Sequence, residues 1–280
     1  MSDLLYAYAL TRPTAPAPPG GTRGVGGAPV RVVRHAGLAA VVGPVPADEF
    51  GEAALRERLE DLRWLEATAR AHQAVVAAVA PLGSVLPLRL ATVHRDETGL
   101  RRALDAGRER FAADLERLDG CVEWGVKIYA VPAERAERPE PSAPSAFSGS
   151  AGREYLRRRR RERERQEHSG RRIAELCRHV HTELSRHARN ARLHRPQDPR
   201  LAGTPDRNVL NAAYLVPRDR SRDFAARVTA LDMPGDGLRL EMTGPWAPYS
   251  FVTEPTEPTG PAGPTGPTGP AGSEPGGCPA

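Results

Sequence analysis

The stretch CVEWGVKIYAV, residues 121–131, decides how this chain is divided and folded. Val122, Trp124, Val126 and Ile128 fall on one side of an extended chain, with Glu123, Lys127 and Tyr129 on the other. That period of two is what a strand with one buried face requires. Asp119-Gly120, just before it, closes the preceding helix, and a unit boundary is placed there. The reading gives an α+β domain over residues 1–119, a second over 120–252, and a tail over 253–280.

Moving towards the N-terminus, Asp96 is a plausible N-cap for a helix marked by Leu100, Leu104, Phe111, Leu115 and Leu118. SVLPLRLATV before it reads as a short extended run, with Pro87 placing it at an edge or a strand start. One long helix is expected earlier, from the spacing of Leu55, Leu59, Leu62, Ala69, Val76 and Val79. Pro81 and Gly83 stop it. VRVVRH and GLAAVVGPV read as a hairpin joined at Gly37. The first strand carries Leu4, Tyr6, Tyr8 and Leu10 in alternation with smaller residues, and a Pro/Gly-rich loop follows it.

Towards the C-terminus, an irregular Pro- and Ser-rich stretch runs to about residue 150, and a helix is expected from about Arg153 to Arg192. Its first part is nearly all charge, and its apolar stripe is Ile173, Leu176, Val180 and Leu184. NVLNAAYLV is a strand, Phe224, Val228 and Leu231 share one face of a short helix, and Leu238, Leu240 and Met242 alternate into a last strand. Each half thus interleaves strands with two helices on one sheet face, and the second half reads as a ferredoxin-like variant. The Gly-Pro-Ala/Thr triplets of the tail are too few for a triple helix and fit polyproline-like disorder.

With 39% hydrophobic and 27% charged residues in 280, the composition suits globular cores. Cys121, Cys177 and Cys278 form no C-x-x-C pair, so they are read as reduced thiols rather than a zinc or disulfide framework. No signal-peptide pattern opens the chain, and its most apolar window is broken by Pro81, Gly83 and Pro87. A soluble, cytoplasmic protein with no membrane partner is expected. The net charge of +5 comes from arginine, since Lys127 is the only lysine. Ala, Gly, Pro and Arg share GC-rich codons, so the charge is weak evidence for nucleic acid.

No G-x-S-x-G, H-E-x-x-H or P-loop motif occurs. His72 is read as a packed core residue. His179 and His181 are two apart on a helix and cannot grip one ion, and Cys177 with His181 lacks a third ligand. No metal or other cofactor is expected. The run REYLRRRRRERERQE, residues 153–167, holds eight Arg against four Glu. Glu at three and four residues from Arg supports a solvated or partner-contacting helix. A nucleic-acid-binding role for this arginine-rich helix is the alternative. Arg89 stands among apolar neighbours, so its guanidinium is either paired or reaches water over a packed stem.

The combination of VLPLRLATV, GCVEWGVKIYAV, NAAYLVPRDRSRDFAARV and GLRLEMTGPWAPYSFV resembles the gas vesicle protein L/F family (GvpL/GvpF) from about residue 4 to 252. LRLATV stands where the family usually reads Arg-Phe-Gly-Thr, and Ala212 where a glycine is common. The resemblance implies a non-enzymatic gas vesicle accessory protein of two α+β domains. It implies contact with the very hydrophobic GvpA-like shell protein, and with other accessory proteins, at the gas vesicle. A small-molecule ligand is not expected. The signature TGPWAPYSFV, residues 243–252, concentrates aromatic side chains in a chain that is only 5% aromatic. Pro245 and Pro248 are expected to end the strand ladder. Trp246, Tyr249 and Phe251 either seal one half against the other or offer apolar contact to the shell protein, with Arg89 as a further candidate contact.

Overall fold

The computed structural model describes residues 3–131, 151–196, 206–231 and 237–253. The expectations for the 132–150 stretch and for residues 254–280 of the tail, with Cys278, lie outside them.

The first sheet contains β1 (Asp3–Thr11), β2 (Arg31–His35), β3 (Leu38–Pro46), β4 (Val85–Pro87) and β5 (Val93–His94). Its order is β2-β3-β1-β4, and β5 also pairs with β1; all pairs are antiparallel. Ala36-Gly37 turns the β2–β3 hairpin with positive φ at both positions (50° and 79°), as a two-residue type I′ connection demands. The β1–β3 register slips between Ala7 and Ala9. This bulge at Tyr8 breaks the alternation expected for the strand. Tyr6 and Tyr8 pack in one cluster while Leu10 joins Leu5 and Ala7 in another.

The expected long helix is three pieces: α1 (Ala47–Phe50), α2 (Glu52–Arg58) and α3 (Leu62–Val79). Asp61 starts α3 afresh, its carboxylate accepting from the Arg63 and Trp64 amides at 2.9 and 3.2 Å. Leu59 and Leu62, counted in the apolar stripe, are exposed. Likewise α4 (Glu97–Ala106) and α5 (Arg108–Arg117) are separated at Gly107, and Asp96 caps α4 by accepting from the Gly99 amide at 2.7 Å.

Val75, Val76 and Val79 of α3 pack with Tyr6 and Tyr8. Leu100, Leu104 and Leu115 of α4 and α5 pack with Leu5, Ala7 and Leu10. The first sheet therefore carries helices on both faces, not on one. A strand covered on both sides needs an unbroken apolar run, and Leu5 through Leu10 are all buried.

The second sheet contains β6 (Cys121–Ala130), β7 (Asn190–Leu193), β8 (Arg207–Pro217) and β9 (Leu238–Trp246), in the order β7-β8-β6-β9 and antiparallel throughout. Two helices, α6 (Ala151–Ser185) and α7 (Ser221–Ala230), complete a β-α-β-β-α-β sequence, a split β-α-β arrangement. The sequence reading ran α6 on to Arg192 and missed β7, an exposed edge strand too short to show a pattern. The β6 alternation holds: Val122, Trp124, Val126 and Ile128 meet Val180 and Leu184 of α6 in one core.

The other face of this sheet is not left to water. Cys121, Ala213 and Leu215 enter the same cluster as α4, α5 and β1. One apolar core thus joins the two sheets across the 119/120 boundary.

Candidate functional site

A groove of about 860 Å³ opens where the two halves meet. Leu10, Leu88, Leu100, Leu104, Phe111 and Val252 give it an apolar floor. Arg89 and His94 border it from the β4–β5 region, Arg110 from α5, and Arg192 and His194 from β7 and just beyond. No Asp or Glu side chain is among its described lining residues. Burial lowers the pKa of His94, and the three arginines give the rim a permanent positive charge.

The loop bearing Arg89 is fixed from below. The Ala7 amide donates to the Thr92 carbonyl at 2.8 Å, the Leu88 amide to the Tyr8 carbonyl at 2.9 Å, and the Ala91 amide to the Tyr6 hydroxyl at 2.8 Å. Arg89 itself is exposed. Ala91 holds a φ of 61°, a left-handed conformation that favours glycine. It occupies the glycine position of the Arg-Phe-Gly-Thr pattern, which gives that glycine a physical reason.

The other wall is the signature segment. β9 continues through Pro245 to Trp246, pairing Trp246 with Glu123, so Pro245 does not end the ladder as expected. The Gly244–Pro245 peptide is cis. A 3-10 turn, Tyr249–Phe251, then crosses to the first half. The three rings part company here. Phe251 is buried in the core shared by both sheets. Tyr249 is half-buried against the α3 cluster and lines the groove, and burial raises its pKa. Trp246 is 47% exposed and does not line the groove.

Two carboxylates hold this segment. Glu123 accepts from the Ser250 amide at 2.8 Å and from its hydroxyl at 2.6 Å. Burial raises the Glu123 pKa, with Ser250 and then the fields of His194 and Arg192 opposing the rise. Asp114, buried on α5, accepts from the Thr253 amide at 3.0 Å and its hydroxyl at 2.7 Å. Arg117 pairs with Asp114 and donates to the Phe251 carbonyl at 2.6 Å. Sequence reasoning put Glu123 with Lys127 and Tyr129 on the face of β6 opposite Val122, Trp124, Val126 and Ile128. A lone acid facing an apolar signature has no local mark, and neither it nor Asp114 was picked out.

His72 is buried, with Nδ1 at 3.1 Å from the Tyr6 hydroxyl. Among the described residues neither its Nε2 nor the Tyr249 hydroxyl has a hydrogen-bond partner. Burial pushes the His72 pKa down to about 4, the Leu88 backbone pulling the other way. His181 packs with its Nδ1 at 2.9 Å from the Tyr214 hydroxyl, and Cys121 and Cys177 are buried free thiols. No group of His, Cys, Asp or Glu among the described residues is placed to hold a metal ion.

Fold and groove define an α+β protein of two antiparallel sheets, a class with solved members. The crystal structure of the gas vesicle protein GvpF from Anabaena sp. PCC7120 superposes with a TM-score of 0.63 at 20% identity, covering 91% of this chain and 98% of that one. Residues 4–253 match the family described as gas vesicle synthesis protein GvpL/GvpF, and the chain belongs to that family. It is 54% identical over 249 residues to gas vesicle protein L of Streptomyces sp. (strain CB03234), covering 89% of this chain and 92% of the relative. To gas vesicle protein F of the same strain it is 28% identical over 249 residues, covering 88% and 98%. Its role is a gas vesicle one. No helix among the described residues is long and apolar enough to cross a membrane.

Proposed function

We propose that this chain is a non-enzymatic accessory or minor structural protein of gas vesicles that binds the hydrophobic GvpA-like shell protein and supports vesicle formation. The observation that carries the reading is the groove: an apolar floor open at the surface, in a member of a gas vesicle synthesis family. Arg89 and Tyr249 are the contacts from the signature regions, with Trp246 a separate exposed ring on the adjoining surface. Phe251 acts from within the core, by fixing the segment that carries Tyr249. The greater identity to protein L than to protein F of one strain supports an L-type assignment. Two α+β domains, 1–119 and 120–252, the second ferredoxin-like, remain the organisation we favour, on the strand order of the second sheet. Other gas vesicle accessory proteins are expected as further partners.

Co-expression of the full chain with the shell protein, followed by affinity purification, tests the reading. Co-purification at a fixed ratio is expected, and a shell protein that never comes down with this chain would refute it. The wholly exposed basic part of α6 supports the second reading, nucleic-acid binding. That reading requires binding of random DNA or RNA that falls steeply with salt.

A further inference from the structure

We infer that the groove recognises an amphipathic segment that carries carboxylates along the edge of its apolar face, with Arg110 and Arg192 reading the carboxylates. This rests on the proposed shell-protein binding and names the chemistry by which it would occur. Arg110 lies on α5, with its guanidinium 4.8 Å from the centre of the Phe111 ring. Stacking of this kind uses the face of the guanidinium and leaves its edge for an acceptor. Arg192 lies on β7, across the groove, and is exposed. Among the described residues neither one forms an ion pair.

Carboxylates close to the groove are already engaged. Glu123 is taken up by Ser250, and Asp114 by Thr253 and Arg117. The rim is thus cationic over an apolar floor: no described acid lines the groove, and Glu123, held behind Ser250, acts on Arg192 only through its field. A purely apolar occupant would leave both guanidinium groups desolvated without partners, which is costly. An occupant with carboxylates beside its apolar stripe satisfies the rim and covers the floor together. A helix lying in a groove presents its side chains in this pattern. Nucleic acid would satisfy the arginines but leave the half-buried Leu88, Phe111 and Val252 without an apolar cover.

The test uses the full-length protein and labelled amphipathic peptides of Leu, Ala and Gln. One carries Glu at the edge of its apolar face, the second Gln at those positions, and the third Lys. Fluorescence anisotropy should show the Glu peptide binding about tenfold or more tightly than the Gln peptide, with the Lys peptide weakest. The Arg110→Gln/Arg192→Gln variant should remove the advantage of Glu over Gln while melting like the parent protein. A five-site variant of the basic helix, Arg157 to Arg161 all to Gln, should keep that advantage.

Equal binding of the Glu and Gln peptides would overturn the inference. So would loss of the Glu preference in the α6 variant alone, or displacement of the Glu peptide by random oligonucleotide at equal concentration. A large gain in affinity on deleting residues 254–280 would also overturn it, by making this chain's own tail the occupant. Capture of the shell protein separates the two readings. If Arg110→Gln/Arg192→Gln captures it as well as the parent does, the shell-protein reading stands and this inference fails. If the Glu preference holds but the parent never captures the shell protein, the groove chemistry stands and that reading fails.

Discussion

Trp246 and Phe251 belong to one short segment and have opposite surroundings. Phe251 fills the core shared by both sheets, while Trp246 is 47% exposed. Phe251→Ala should therefore cost ~3–5 kcal/mol, and Trp246→Ala less than about 1 kcal/mol. Urea denaturation of the two variants checks the contrast, and equal losses would contradict it. Ala91 offers a gain instead. Its left-handed φ of 61° is strained for any side chain, so Ala91→Gly should raise stability by about 1 kcal/mol, seen as a higher Tm. His72 sets a pH dependence. Its pKa is near 6.5 when unfolded and about 4 when folded, so only the unfolded chain binds the proton in between. Its contribution is complete above pH 6.5 and is lost as the pH falls through 4, on the order of 3 kcal/mol at most. Glu123 has the opposite sign: its raised pKa makes its contribution greatest in acid, and it declines as pH rises above its ordinary 4.5. Melting curves of His72→Phe between pH 7 and 4 should be flatter than those of the parent, and parallel curves would assign the acid sensitivity to other groups.

At the scale of elements, helix starts depend on single caps. Asp61→Ala removes the acceptor for two α3 amides and should cost about 1 kcal/mol, read by thermal melting. Unchanged melting would mean that packing of Val75, Val76 and Val79 alone fixes the start of α3. The same residue shows what the sequence could convey. Alternation along β6 and the apolar stripe of α6 were legible, because each is written in neighbouring positions. The Asp61 break was not separated from the heptad-like leucines around it, although Leu59 and Leu62 prove to be exposed. The Tyr8 bulge, the second helical layer on the first sheet and the short β7 all depend on partners distant in sequence. Of the residues lining the groove, Arg89 stands out in the sequence by its apolar neighbours and Tyr249 by the aromatic signature stretch. Arg110 and Arg192 were two arginines among many until the fold brought α5 and β7 to one rim.

For the whole molecule, the shared core has a thermodynamic consequence. Cys121, Ala213, Leu215 and Phe251 pack with side chains of the first sheet and its helices, so neither half can unfold without exposing the other. A single cooperative transition is expected in urea and in calorimetry. Two separated transitions would show the halves to be independent. By contrast, α6 from Arg153 to Ser169 is exposed throughout and contributes little to that core. Each Arg→Gln change between Arg157 and Arg161 should leave stability within ~0.5 kcal/mol.

The crossing of residues 247–253 also sets how force enters the molecule. The chain leaves β9 in the second sheet, yet Thr253 is tied to Asp114 on α5 and the Phe251 carbonyl to Arg117. Tension applied beyond Thr253 is borne first by α5, then by β6 through the Ser250–Glu123 pair, and reaches the last strand only after those bonds have given way. A load hung beyond Thr253 is therefore anchored first in the N-terminal half, and it must break contacts in both halves before it can peel off the last strand.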